Sequence, residues 1–156
     1  MLIYAHKVNQ LARLFMKRLN EKITLSGLYS SQWAFILRLH EQGPSTQKEL
    51  SEYLSIEPST VTRTLVRMEE AGWIIKEEGM DRRERKVRLS PTAYEQFLAW
   101  QQLSDSLEMT ALANIPEADL KVFTNVLQQM MSNLRETSHM QSKKARIGNK
   151  EEMGEK

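Results

Sequence analysis

Apolar residues recur along this chain at two different spacings. From residue 2 to 23, Tyr4, Val8, Leu11, Phe15 and Leu19 return every three or four positions, with Lys7, Arg13, Lys17 and Arg18 between them. That period places the apolar set on one stripe of an amphipathic helix. A linker, "TLSGLYSS", leads to a second helical stretch, "SQWAFILRLHEQ". Its Trp33, Phe35, Ile36, Leu37 and Leu39 give it enough apolar surface to be a buried central helix, and Gly43-Pro44 stops it. In "STQKELSEYLSI", Thr46 and Glu49 have the spacing of a capping box, so a short helix begins there with Leu50, Tyr53 and Leu54 as its apolar set. After a tight break at Ser55-Ile56-Glu57, Pro58 suits the first turn of a new helix, where its missing N–H costs nothing. That helix, "PSTVTRTLVRMEEAG", carries Val61, Leu65, Met68 and Ala71 on one face and ends at Gly72.

The spacing then changes to two. "WIIKEE" and "RKVRLS", separated by a turn at Gly79, alternate as a β-hairpin does. Ser90-Pro91 reads as the N-cap and first position of another helix, which runs to about residue 115. Pro116 opens a last helix with Leu120, Phe123, Leu127, Met130 or Met131, and Leu134 at helical spacing. The stretch "SKKARIGNKEEMGEK", 142–156, has no apolar stripe and is expected to be a disordered tail. The predicted fold is mainly α with a small two-stranded β-wing. One domain over 1–141 is expected, with a helix-and-hairpin lobe at about 28–90 and dimerisation helices over 1–25 and 91–138.

Composition removes several function classes. Cysteine is absent, which excludes disulfides, thiolate metal sites and cysteine nucleophiles. His6, His40 and His139 show no metal-pair spacing. There is no glycine-rich phosphate loop, no G-x-S-x-G motif and no carboxylate pair in an apolar setting, so neither enzymatic activity nor a cofactor is expected. No run approaches the roughly 18 apolar residues that span a bilayer, and a cytoplasmic protein without membrane contact is expected. The formal net charge is only +2, so affinity for nucleic acid must come from local concentration of charge.

Such a concentration exists. Helix, short helix, helix and hairpin, in that order, form a helix-turn-helix followed by a wing, which puts the N-terminal part of the second motif helix in the DNA major groove. Ser59, Thr60, Thr62, Arg63 and Arg67 flank the apolar face of that helix. Short hydroxyls permit close approach, and arginine offers the fork that matches guanine O6 and N7. Thr46 and Gln47, at the start of the preceding helix, join the predicted DNA-binding set. The hairpin tip, "DRRERKVRLS", adds Arg82, Arg83 and Arg85, which can enter a narrow minor groove. Asp81 is expected to bond turn amides or a nearby arginine and so to organise the wing. A winged-helix module that binds protein or RNA remains the alternative. It would not protect a near-palindromic duplex site.

At these residues the chain resembles the MarR (multiple-antibiotic-resistance regulator) family of winged-helix transcription factors. The carriers are "GPSTQKELSEYLSIEPSTVTRTLVRMEEAGWI" and the wing pattern of Asp81, Arg83, Leu89 and Ser90. The resemblance covers roughly 5–137. It implies a homodimer whose first and last helices interleave, most often acting as a repressor. It further implies double-stranded DNA as partner, read by the helix of Ser59, Thr60, Thr62 and Arg63 with Arg82 and Arg83 in the minor groove. Many members bind small aromatic effectors, for which Arg13, Trp33, Tyr94 and Trp100 are the candidate lining here. Peroxide sensing through cysteine is excluded.

Overall fold

The computed structural model describes residues 3–77 and 85–151, with side chains through Thr137. The elements in order are α1 (Tyr4–Ile23), a 3-10 turn (Thr24–Ser26), α2 (Ser30–Gln42), β1 (Ser45–Thr46), α3 (Gln47–Leu54), α4 (Pro58–Glu70), β2 (Ile74–Lys76), β3 (Lys86–Leu89), α5 (Pro91–Leu112) and α6 (Glu117–Glu151). The chain divides into two compact units, Met1–Ala111 and Leu112–Lys156.

Local chemistry places most boundaries in the first unit. The Thr46 hydroxyl accepts the Glu49 N–H at 3.2 Å while Glu49 Oε2 accepts the Thr46 N–H at 2.7 Å, so the capping box that opens α3 is complete. α3 ends on Ser55 in the left-handed region (φ 54°), and the Ser51 hydroxyl donates to Ile56 O at 2.6 Å across the turn. Pro58 occupies the first turn of α4. At the far end Gly72 adopts φ 79°, with Gly72 N–H donating to Glu69 O and Trp73 N–H to Met68 O at 2.9 Å each. This pair of bonds is a Schellman closure, which favours glycine because a Cβ is disfavoured at that φ. The Ser90 hydroxyl accepts the Ala93 N–H and donates to Gly72 O, tying the start of α5 to the end of α4.

The sheet has three antiparallel strands in the order β1-β3-β2, with Ile74 opposite Leu89 and Lys76 opposite Val87. The expected hairpin therefore gains a strand: Ser45 and Thr46 pair with Val87 and Lys86. A two-residue strand carries no readable alternation, so sequence could not announce it. Ile74, Val87 and Leu89 are buried whereas Lys86 is exposed, as period-two alternation requires.

One core joins these parts. Val61, Leu65 and Met68 of α4 pack with Leu50 of α3, Phe35, Ile36 and Leu39 of α2, the inner face of the sheet, and Ala93, Phe97 and Trp100 of α5. Each large side chain so buried contributes roughly 1.5–3 kcal/mol. Leu19 and Ile23 bring the C-terminal end of α1 into the same cluster. Tyr53 departs from the expected apolar set of α3. It stays 51% exposed, with the Arg38 guanidinium 4.5 Å above its ring. The linker after α1 is also more than a spacer, because Leu28 is wholly buried and Ser26 Oγ accepts the Trp100 indole N–H at 2.9 Å.

α6 makes up most of the second unit. Leu120, Leu127 and Met130 are half-buried, while Val122, Phe123, Val126 and Met131 are exposed. The helical backbone of α6 continues through Glu151, into the stretch expected to lack order from 142. Lys143, Lys144, Ala145 and Arg146 are strong helix formers, and lack of an apolar stripe removes a packing face without removing the hydrogen-bond ladder.

Candidate nucleic-acid interface

α3, the turn at Ser55–Glu57 and α4 form the helix-turn-helix. With Val61, Leu65 and Met68 turned into the core, the opposite face of α4 presents Ser59, Thr62, Arg63 and Arg67 to solvent, with Thr60 half-buried beside them. Arg63 Nη2 donates to Thr60 Oγ1 at 3.2 Å, which holds the guanidinium along the helix rather than free in solvent. Thr62 Oγ1 lies 3.2 Å from Gln47 Oε1, so the first residue of α3 touches the exposed face of α4. Thr46 itself is engaged in capping and half-buried, whereas Gln47 is exposed.

Charge is sorted by neighbours. Glu69, near the end of α4, pairs with Lys76 of β2, and Glu77 pairs with Arg88 of β3 at 3.7 Å. These partly exposed pairs add little stability, but they set a cation beside Glu69 and Glu77. No carboxylate pairs with Arg63, Arg67 or Arg85 among the described residues. Glu49 is held below the usual carboxylate range, first by the Thr46 backbone N–H and then by the Thr46 hydroxyl, which outweigh the opposing desolvation, with Lys86 and Arg38 adding lesser lowering effects. Arg85 is exposed just before β3. Asp81, Arg82 and Arg83 lie outside the described residues.

The four residues expected to line an effector cleft differ in burial. Trp100 is fully buried, and Trp33 is buried with its indole N–H donated to Ser104 Oγ at 3.1 Å and its ring 5.6 Å from Phe97. Both are core residues. Arg13 and Tyr94 are exposed, and no hydrogen bond or ring contact links any two of the four among the described residues. A cavity of about 260 Å³ does open between α1 and α5, lined by Phe15, Met16, Leu19, Ser104, Leu107 and Glu108. Sequence reasoning missed both this cavity and the Gln47–Thr62 contact. Each joins residues on separate helices, and a capping-box signal at Thr46 says nothing about where Gln47 points.

No group of three or more His, Cys, Asp or Glu is placed to hold a metal among the described residues, and no helix of theirs is long and apolar enough to cross a membrane. Fold and site together define a winged helix-turn-helix. A family model described as "MarR family" matches residues 28–84, the lobe just built. A relative from Bacillus subtilis (strain 168), "Uncharacterized HTH-type transcriptional regulator YwoH", is 38% identical over 126 residues, spanning 81% of this chain and 92% of that protein. Among solved structures, a MarR transcriptional regulator from Methanosarcina mazei Go1 superposes with a TM-score of 0.77 at 21% identity, covering 84% of this chain and 94% of that one. A putative MarR family regulator from Listeria monocytogenes, complexed with 26mer DNA, gives 0.79 at 19% identity, covering 85% and 89%. The chain belongs to the MarR family: it is a transcriptional regulator with a DNA-binding winged helix.

Proposed function

We propose that the chain acts as a homodimeric repressor of a near-palindromic duplex site, with α4 in the major groove and the arginine-rich hairpin tip in the adjacent minor groove. The observation that carries this reading is the face of α4, where Ser59, Thr62, Arg63 and Arg67 stand opposite a fully buried apolar stripe. The 26mer DNA in the Listeria monocytogenes complex supports DNA as the ligand. Exposed apolar residues on α1 (Val8, Leu11, Leu14) and on α6 (Val122, Phe123, Val126) support pairing of two copies. Arg82, Arg83 and Arg85 serve the wing in this reading, and Asp81 organises it.

The test is selection of genomic fragments by the purified chain, followed by footprinting. Two protected half-sites about one helical turn apart, roughly 10 base pairs, are expected. Arg63→Ala should lower specific affinity about five- to a hundredfold, the range for one bidentate base contact, with nonspecific binding far less affected. Selection of no fragment, or uniform binding to all duplexes, would overturn the reading in favour of a protein- or RNA-binding module. Release by a small aromatic effector belongs to the same proposal. A panel of simple phenols should shift the footprint midpoint, and none doing so would remove the effector while leaving DNA binding intact.

A further inference from the structure

Gln47 and Thr62 meet where the two helices of the motif join, and their hydrogen-bonding capacity is uneven. Thr62 Oγ1 lies 3.0 Å from the Pro58 carbonyl oxygen and 3.2 Å from Gln47 Oε1. Both neighbours are acceptors as placed, and a threonine hydroxyl has one proton to give. The Pro58 contact is the shorter, and it is the back-bond to the preceding turn that a mid-helix threonine commonly makes. Rotating the Gln47 amide end for end keeps its shape and lets Nε2–H donate to Thr62 Oγ1. All three groups are then satisfied. The amide now presents Oε1 and its second N–H outward, an acceptor beside a donor.

On the major-groove edge, adenine offers the N6 donor beside the N7 acceptor, the complement of that pair. Guanine offers two acceptors, O6 and N7, and O6 would oppose Oε1. We infer that Gln47 and Thr62 form one reading unit for adenine, in which Gln47 touches the base and Thr62 is the positioning residue that fixes the direction of its amide. A phosphate is the poorer occupant. The N-terminus of α3, which would attract it, already holds the Glu49 carboxylate on Thr46 N–H, and that charge offsets the helix-end field. Gln47 is neutral, exposed, and drawn to the DNA-facing side of α4 by the Thr62 contact. The inference rests on α4 lying in the major groove, as proposed above.

The experiment measures binding of the full chain to its selected duplex and to each single base-pair variant of one half-site. Wild type, Gln47→Ala, Thr62→Val and Thr62→Ser are compared, with a nonspecific duplex and a salt series alongside. Wild type should prefer A·T over G·C at one position by about tenfold or more, the worth of a bidentate contact. Gln47→Ala should flatten that position alone. Thr62→Val should flatten the same position although Gln47 is intact, with unchanged helix content, and Thr62→Ser should restore the preference. Guanine preference at that position, or loss from Thr62→Val at a different base pair, overturns the unit. Equal weakening of every duplex by Gln47→Ala, with a shallower salt slope, makes Gln47 a phosphate contact and also overturns it. Those results leave the proposed function standing. A wild type that selects no duplex overturns the proposed function itself, and this inference with it.

Discussion

Val61, Leu65 and Met68 of α4 keep at most 1% of their surface exposed, whereas Val8, Leu11 and Leu14 of α1 keep 41–57%. Both sets recur at helical spacing. The difference lies in what each helix meets. α4 faces α2, α3, the sheet and α5, which close one core around it. α1 delivers only its C-terminal end, Leu19 and Ile23, to that core and leaves the rest of its stripe outside. α6, taken by itself, repeats the pattern, with Val122 at 62% and Phe123 at 46% exposure. An amphipathic stripe therefore states that a helix needs a partner surface, and not that its own chain supplies one. Contiguous apolar patches of this kind on a soluble protein mark interaction sites.

Breaking the exposed stripe should have the largest consequence for DNA binding and little for the lobe. Val8→Asp with Leu11→Asp should abolish pairing of two copies, so that the mass in solution halves and specific DNA affinity falls by orders of magnitude. The circular dichroism of the lobe should persist. A variant that keeps both the dimeric mass and the affinity would place the interface elsewhere.

The matching change in the buried stripe should act on stability instead. Leu65→Ala removes a fully buried side chain at the centre of the core. It should cost about 2–5 kcal/mol in denaturant unfolding, a large part of the roughly 5–15 kcal/mol by which domains are stable. Leu14→Ala, on the exposed stripe, should cost far less when the chain is monomeric. Equal losses at the two positions would erase the distinction between the regions.

Legibility in the sequence follows the same division. Elements whose signals are local came through: the Thr46–Glu49 box, Pro58 at the start of α4, Gly72 at its end, Ser90-Pro91 at the start of α5, and the alternation of β3. What failed depended on contacts between distant segments. Tyr53 fits the stripe of α3, yet Arg38 from α2 caps its ring at the surface. The bonds from the indole N–H groups of Trp33 and Trp100 to Ser104 and Ser26 join segments more than seventy positions apart and were equally unreadable. β1 exists only because β3 passes beside it. The basic and hydroxyl residues of α4 were legible as a set, but the link from Gln47 to Thr62 was not, since fifteen positions separate them.

A smaller change sharpens the picture at the joint between wing and helix-turn-helix. Thr46 ends β1, pairs with Lys86 of β3, and caps α3. Thr46→Ala should lower stability by about 0.5–2 kcal/mol, the usual range for loss of an N-cap. Thr46→Ser keeps the oxygen and should recover most of it. A full loss in the serine variant would mean that packing of the methyl group, and not the cap, is what matters.

The smallest effect concerns the other half of that box. Glu49 has its pKa lowered in the folded chain, chiefly by the Thr46 backbone N–H. A carboxylate with a depressed folded pKa adds stability above its unfolded value, near 4.5, and loses that contribution as pH falls through the folded value. Because Glu49 is exposed, solvent screens the interaction and the contribution is modest. Glu49→Gln retains a side chain able to accept the Thr46 N–H but cannot titrate. Melting temperatures of wild type and Glu49→Gln should therefore differ most at neutral pH, with wild type higher. The gap should close as pH drops below about 4.5, because protonation then makes the two side chains nearly alike. Curves that stay parallel down to pH 3 would show that the charge on Glu49 contributes nothing to the cap, and that shape and hydrogen bonding alone hold the start of α3.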